Sequence, residues 1–402
     1  MDAAVATSLF WIAVAAALAP VIAGAVPRRL VPEVVLLLVA GVIIGPYVLD
    51  LAETGSEIGI LRELGLGMLF LLAGYDIDPA ELRGRGGRRA LITWCVCMVA
   101  ALATVALLGV LGHPVHAEIA VAIAMTSTAL GTLLPILADR GLVTTPLGRT
   151  VLNHGAMGEL LPVIAMAILL GTRGAVGSLI VLAAFAVVAL LVAVLPQRIL
   201  REGSDMARFV RRTADTTAQT SVRLTMLLLV GLITVAVVFD LDIILGAFAA
   251  GFILRRAVPA GDERLEKKLE GLGYGFLIPI FFVTSGMAID VEAVAQAPFL
   301  LGAFFVLLIL VRGLPVFVAS RLERTPDGAR VFDTREQLQI ALYSATGLPL
   351  IVAVTGVAVA ADQMSNASAS ILVAAGAVTV LLLPMIAGLL RRPEPVESRE
   401  RA

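Results

Sequence analysis

Charged side chains are what this sequence has least of. Asp, Glu, Lys and Arg make up 15% of its 402 residues, where a soluble globular domain carries about 25%. Hydrophobic residues reach 59%, and the mean hydropathy is +0.99. Long polar stretches are missing too. None exceeds the 27 residues from Gln197 to Arg223, so no separate soluble domain is expected. Cysteine is almost absent: Cys95 and Cys97 sit two apart in one apolar run and point to different sides of a helix. That spacing suggests neither a disulfide nor a metal site. Histidine is equally scarce, and His113, His116 and His154 form no His-Glu-x-x-His, which excludes an intramembrane metalloprotease. The first apolar run has no basic region ahead of it and no small-residue cleavage site, so it is expected to stay as a first helix. No cofactor, resident metal or nucleic-acid partner is expected. The net charge of −1 is uninformative, because a membrane protein distributes charge by side rather than by sum.

What is present is apolar runs of membrane-spanning length. A hydrocarbon core about 30 Å thick takes about 20 helical residues. Breaking the sequence at charged and Pro/Gly-rich points gives thirteen segments, at about 5–26, 31–49, 58–76, 90–111, 117–138, 147–170, 175–196, 222–239, 242–258, 270–289, 297–320, 336–360 and 367–390. The expected architecture is an all-α membrane protein of thirteen transmembrane helices, with the lipid bilayer as its solvent. Basic residues accumulate on the cytoplasmic side. With the N-terminus outside, the successive cytoplasmic segments hold two, four, two, six, five, four and four of them, which is 27 of 30. The outside loops hold Arg173 alone, while Arg62 and Arg312 fall within segments. The C-terminus and the short tail 391–402 are then cytoplasmic, in a cell inner membrane. The basic amphipathic stretch RILREGSDMARFVRR, from Arg198 to Arg212, is expected to lie on the anionic inner leaflet.

The sequence also repeats itself. Gly74 and Asp78 in the third segment match Gly286 and Asp290 in the tenth. Ala40-Gly41-Val42-Ile43 is echoed by Ala250-Gly251-Phe252-Ile253, and Leu161-Pro162-Val163-Ile164 by Leu383-Pro384-Met385-Ile386. Each partner lies seven segments further on. Seven is odd, so partners cross in opposite directions. This gives two inverted six-helix repeats, about 5–170 and 222–390, joined by a linker helix at 175–196. Inverted repeats are the mark of secondary transporters. The repeat pairs AMTSTALGTLLPIL of the fifth segment with ALYSATGLPLIV of the twelfth. Both place hydroxyls, Gly and Pro near mid-span, and interrupted helices in matching positions point to a transport site. Unwound backbone at that depth is tolerated where it lines a cavity. The competing reading is a pair of kinked helices whose hydroxyls bond to their own backbone.

Two charges lie near mid-membrane. Glu159 stands about 18 Å into the sixth segment at 1.5 Å per residue, and Arg312 about 12 Å from the cytoplasmic end of the eleventh. A charge at that depth costs about 2.5–3.5 kcal/mol on insertion scales and is by default a functional feature. Candidate cation- and proton-binding residues are Glu159, Thr126, Ser127, Thr128 and Thr346. Arg312 is the candidate charge partner, and Asn153, His154 and Ser344 are supporting polar groups. A carboxylate here accepts a proton or a hard cation such as Na⁺, not both, which makes exchange obligatory if only loaded forms alternate. A structural Glu159–Arg312 ion pair is the alternative. Asn153 is expected to bond between helices and His154 to be a structural histidine. Arg62, Glu63 and Asp76 sit toward segment ends, where snorkelling makes charge cheap.

PEVVLLLVAGVIIGP, MLFLLAGYDID, TSTALGTLLPILADRGLVTTPLGR, the region of Glu159 and IPIFFVTSGMAID together resemble the cation:proton antiporter superfamily of sodium/hydrogen exchangers and Kef-type potassium efflux proteins. The resemblance covers nearly the whole sequence. It implies a sodium/proton antiporter fold with broken crossing helices, a homodimer, and a core domain that moves in an elevator-like way against a dimerisation domain. Relatives carry Asp-Asp, Asn-Asp or Gln-Asp where this sequence has Gly158-Glu159, so the ion-binding Asp maps to Glu159 and the first position has no side chain. In the superfamily, Arg at the position of Arg312 goes with electroneutral exchange. The expected function is therefore exchange of Na⁺ or K⁺ for H⁺. The sequence ends twelve residues after its last segment, without the nucleotide-binding domain of Kef-type proteins, so ligand-gated K⁺ efflux is disfavoured. A sodium-coupled solute symporter and a transport-inactive scaffold are the remaining alternatives.

Overall fold

The computed structural model describes residues 2–25, 31–77, 82–112, 115–170, 174–199, 219–258, 263–325 and 327–390. Among them the chain is helical throughout, apart from an isolated bridge between Arg324 and Arg330. The helices are α1 (Ala3–Ala25), α2 (Glu33–Ile44), α3 (Ser56–Asp76), α4 (Arg85–Val110), α5 (Glu118–Met125), α6 (Leu130–Asp139), α7 (Pro146–Leu169) and α8 (Gly174–Ile199). They continue with α9 (Thr220–Val238), α10 (Ile243–Ala257), α11 (Glu263–Met287), α12 (Val291–Gln296), α13 (Pro298–Arg321), α14 (Thr334–Ser344), α15 (Leu348–Ala360) and α16 (Asn366–Leu389). Every one of the thirteen expected segments carries helix. Among the described residues, ten spans are long and apolar enough to cross a membrane, with α14 and α15 counted as one span. The other three segments are α2, the α5–α6 pair and α10, which are shorter or broken. Asp78, His113, the part of the basic stretch from Leu200 to Arg212 and the tail 391–402 lie outside the described residues.

Burial sorts these helices into two kinds. In α4, α8 and α9 less than a third of the spanning window is buried, and apolar side chains such as Val99, Ile180 and Leu227 face outward. That is the pattern of helices solvated by lipid. In the α14–α15 span 83% of the window is buried, and in α7 and α11 67%, so these helices form the interior. A helix that is apolar and buried all round has its neighbours as its solvent, so its polar residues must be satisfied there or serve a purpose.

The sequence repeat reappears as reciprocal contacts. α2 packs on α11, and α10 packs on α3. A Cβ at Gly41 of α2 would land on the carbonyl of Val283 in α11, and one at Gly286 would land on the carbonyl of Leu38. In the other half, a Cβ at Gly251 of α10 would meet the Leu71 carbonyl of α3, and one at Gly74 would meet that of Phe248. These positions are the ones matched in the sequence, and each contact in one half has its image in the other. Only glycine lets two backbones approach so closely. The two inverted repeats therefore interlock, the second helix of each against the third of the other.

Both expected interruptions are present. α5 stops at Met125 and α6 begins at Leu130; α14 stops at Ser344 and α15 begins at Leu348. Pro349 occupies the first turn of α15, where a missing N–H is harmless. A small apolar cluster of Leu133, Leu137, Leu147, Val151, Ile340 and Tyr343 ties α6, α7 and α14 together beside the breaks.

Candidate ion-exchange site

The two breaks meet and satisfy each other's backbone. The Ala129 N–H donates to the Thr346 carbonyl at 2.7 Å, and the Thr128 N–H donates to the Gly158 carbonyl of α7 at 2.9 Å. The Thr128 hydroxyl donates to the Ser344 carbonyl at 2.5 Å, and the Ser127 hydroxyl reaches the Gly347 carbonyl at 3.3 Å. Gly347 is required by this approach, since a Cβ there would collide with the Ser127 side chain and stand 2.8 Å from its carbonyl oxygen. Unwound backbone in a dry interior would otherwise forfeit its hydrogen bonds. Here each strand of the crossing supplies partners for the other.

The hydroxyls divide into two groups. Thr126, Ser127 and Thr346 donate back to carbonyls three residues earlier, at 2.8, 2.7 and 2.8 Å. Their oxygens keep acceptor capacity, while their protons turn to their own helix, that of Ser127 shared with the Gly347 carbonyl. Thr128 is different, because its oxygen accepts from Arg312 Nε at 3.0 Å while its proton goes to Ser344.

Arg312 is 1% exposed and sits on a π-helical turn, Ile309–Gly313, of α13. Its Nη2 donates to the His154 carbonyl at 2.6 Å, and its Nη1 lies 3.7 Å from Cys97 Sγ. The ion pair with Glu159, the alternative weighed from the sequence, is not formed. Arg312 is instead the brace of the site, holding the α5–α6 break and α7 together through charge-assisted hydrogen bonds. The guanidinium also accounts for Gly158. A Cβ at that position would strike Arg312 Nη2 and come within 2.6 Å of Thr128 Oγ1. The room that a side chain would fill at position 158 is taken by arginine.

Glu159, on the next residue of α7, is 5% exposed. One carboxylate oxygen is served by the backbone N–H of Leu130, the first residue of α6, so a helix N-terminus points at the charge. The other, Oε2, is buried without a hydrogen-bond partner. Glu159 lies on the wall of a cavity of about 560 Å³ whose lining also includes Glu33, Ala73, Ala129, Arg140 and Tyr274. The cavity runs from Glu159 toward the end of the molecule that carries Glu33 and Arg140. A buried carboxylate oxygen beside open space, flanked by carbonyls and a helix end, can bind a proton or a hard cation.

The model of the family described as sodium/hydrogen exchanger, transmembrane, matches residues 13–391. The chain belongs to the sodium/hydrogen exchanger family. It is a multi-pass membrane protein in a family of transporters. It is similar to the probable Na⁺/H⁺ antiporter 3 of Methanocaldococcus jannaschii, with 24% identity over 269 residues, 66% of this chain and 67% of that protein. It is also similar to the glutathione-regulated potassium-efflux system protein KefC of Klebsiella pneumoniae, with 28% identity over 375 residues. That match takes in 90% of this chain but only 57% of KefC. The solved structure of the sodium proton antiporter MjNhaP1 from Methanocaldococcus jannaschii at pH 8 superposes with a TM-score of 0.61 at 19% identity, over 95% of this chain and 97% of that one. The shared fold is that of a sodium/proton antiporter.

Within this exchanger fold, Thr126, Ser127, Thr128 and Thr346 lie at the two breaks, with Arg312 bonded to Thr128 and Glu159 on the adjoining turn of α7. The supporting groups are used differently from their side-chain chemistry. His154 and Ser344 contribute backbone carbonyls, while His154 Nδ1 and Ser344 Oγ are buried without partners. Asn153 turns away toward α4, its amide nitrogen packed against Gly86. Tyr274 escaped the sequence reading. It sits on a second π-helical turn, Gly273–Leu277, and lines the cavity together with Glu159. π-turns collect at functional sites, and the run Gly271-Leu272-Gly273-Tyr274-Gly275 was the available hint. Asp76, weighted as a cheap end-of-helix charge, interacts electrostatically with Glu159.

Proposed function

We propose that this chain exchanges a monovalent cation, Na⁺ or K⁺, for protons across the cell membrane by alternating access, with Glu159 as the carboxylate that carries either ion. The observation that carries the proposal is the buried, unpartnered Oε2 of Glu159 on the wall of an open cavity beside two broken helices. Bare, the charged carboxylate is costly to move through the membrane interior; loaded with H⁺ or a cation it is neutralised, so only loaded forms alternate. One cation per proton follows from there being one such carboxylate. Position 158 has no side chain, and the Arg312 guanidinium is already engaged by Thr128 and His154. Exchange would then be electroneutral.

The names of similar proteins include both Na⁺/H⁺ antiporters and a K⁺ efflux system, which is why both cations stand in the proposal. The same reading places thirteen crossings with the N-terminus outside, so the cavity opens to the cytoplasm. It divides the chain into repeats at about 5–170 and 222–390 around a linker helix at 175–196, assembled as a homodimer in the plasma membrane. Dequenching of a pH-sensitive dye in everted vesicles on adding Na⁺, K⁺ or Li⁺ tests it. Wild type should respond to at least one cation, and Glu159→Gln should abolish the response. Equal traces from wild type, Glu159→Gln and empty vesicles, with inserted protein verified, would overturn the exchanger reading.

A further inference from the structure

Among the described residues that line the cavity, five have polar side chains: Glu33, Thr132, Arg140, Glu159 and Tyr274. Glu33 and Arg140 stand at its far end, and the Arg140 guanidinium donates to the Tyr343 hydroxyl and the Pro384 carbonyl. Thr132 and Tyr274 are left to share the inner part with Glu159. None of the hydroxyls at the two breaks lines this cavity. Thr126, Ser127, Thr128 and Thr346 donate to backbone carbonyls instead. The Thr132 and Tyr274 hydroxyls, by contrast, have no hydrogen-bond partner among the described residues. Both are free to take a ligand from the cavity.

One helix turn gathers these groups. Gly131 and Thr132 follow Leu130, the first residue of α6. The Tyr274 hydroxyl stands 3.3 Å from where a Cβ on Gly131 would be. The start of α6 also packs on α7 beside Glu159. The Thr128 N–H donates to the Gly158 carbonyl at 2.9 Å, and Leu130 Cδ1 stands 3.0 Å from where a Cβ on Gly155 would be, one turn before Glu159. Tyr274 is placed from behind as well. Gly273 packs on α3, where a Cβ would stand 2.9 Å from Leu72 Cδ1, so the π-turn carries the ring into the cavity. The buried Oε2 of Glu159, without a partner, completes the set.

We propose that Thr132 and Tyr274 are cation ligands, whose hydroxyl oxygens form with Glu159 Oε2 the cavity-side half of the shell around the transported monovalent cation. This proposal rests on the exchange reading of Glu159. A hard cation leaving water needs oxygens to replace its hydration shell. A hydroxyl oxygen supplies lone pairs without adding charge, so one cation on one carboxylate stays neutral. A proton needs the carboxylate alone. The two hydroxyls therefore strengthen cation binding and leave proton binding as it is.

The test separates affinity from stability. Initial rates of Na⁺- or K⁺-driven proton movement are measured in everted vesicles at two pH values for wild type, Tyr274→Phe, Thr132→Val and Thr132→Ser, with thermal unfolding of each protein in detergent. Tyr274→Phe and Thr132→Val should each raise the apparent KM for the exchanged cation about fivefold, the scale of one neutral hydrogen bond. The factor should be the same at both pH values, with maximal rates within about twofold of wild type. Melting temperatures should not change, because neither hydroxyl bonds to the protein. Thr132→Ser keeps the oxygen and should keep the wild-type KM. An unchanged KM in Tyr274→Phe and Thr132→Val, whether or not they melt lower, overturns the ligand set while Glu159-dependent exchange stands. Absence of any Glu159-dependent movement in wild type overturns both proposals together.

Discussion

Gly158→Ala is the smallest change that tests whether Arg312 is a brace. The added Cβ would collide with Arg312 Nη2 and stand 2.6 Å from Thr128 Oγ1 and 2.8 Å from Thr128 Cβ. Something must move. Overpacking a filled site typically costs about 1–3 kcal/mol. If the guanidinium is pushed off either Thr128 or the His154 carbonyl, one charge-assisted hydrogen bond worth about 1.5–3 kcal/mol is lost as well. Together they come to roughly 2.5–6 kcal/mol. Gly302→Ala on α13 is the control, because nothing lies within 4 Å of its Cβ, and replacing a helical glycine there should stabilise by about 0.5–1 kcal/mol. The assay is thermal unfolding of purified protein in detergent, with Gly158→Ala/Arg312→Ala as a third variant. We expect Gly158→Ala to melt well below wild type and Gly302→Ala at or above it. The double variant should be less destabilised than the two single effects added, because removing the guanidinium vacates the space. Full additivity, or a Gly158→Ala protein as stable as the Gly302→Ala control, would refute the packing argument for the missing side chain.

Four further outcomes are expected. Arg312→Lys keeps the charge but cannot donate to Thr128 and His154 in the same fork, so it should lose about 1.5–3 kcal/mol of stability and lower the exchange rate; a variant equal to wild type in both would show that the fork is not needed. Thr128→Val removes two hydrogen bonds at the crossing and Thr126→Val one local bond, so melting temperatures should fall further for Thr128→Val; the reverse order would discount the crossing network. Gly347→Ala should abolish transport while leaving membrane insertion unchanged, because its Cβ meets Ser127 at the crossing; wild-type flux would contradict this. Protons and cations compete for one carboxylate, so lowering pH protonates Glu159 and displaces the cation. Below the pH at which Glu159 is half-protonated, the apparent KM should rise up to about tenfold per pH unit at constant maximal rate; a pH-independent KM would argue against a shared site.

The crossing combines two tasks that pull against each other. A site that binds an ion in a dry interior needs exposed carbonyls and helix ends, yet exposed backbone is costly there. The chain meets this by opposing two breaks so that Ala129 bonds to Thr346 and Thr128 to Ser344. The Glu159 carboxylate keeps an unused oxygen on the cavity wall. Hydrogen bonds are concentrated around Arg312, and open space lies on the cavity side of Glu159.

The sequence by itself determined the membrane class, the helical segments, the repeat and the two helix breaks. Hydrophobic length sets segments, and the scarcity of charge makes Glu159 and Arg312 conspicuous. Gly41, Gly74, Gly251 and Gly286 could be matched across the halves because close backbone approach admits no substitute, so the constraint is written into residue identity. What only the tertiary structure decided is how these groups are paired. Proximity of Glu159 and Arg312 in depth suggested an ion pair, but depth fixes one coordinate and leaves the angle around each helix open. The π-turn at Ile309–Gly313 resets that angle and aims the guanidinium at Thr128 and the His154 carbonyl. Backbone carbonyls have no letter in a sequence, so the parts played by His154 and Ser344 could not be read from their side chains. Tyr274 was hidden because its place depends on the cavity between α3, α6, α7 and α11, and a cavity belongs to the packing of helices rather than to any one of them.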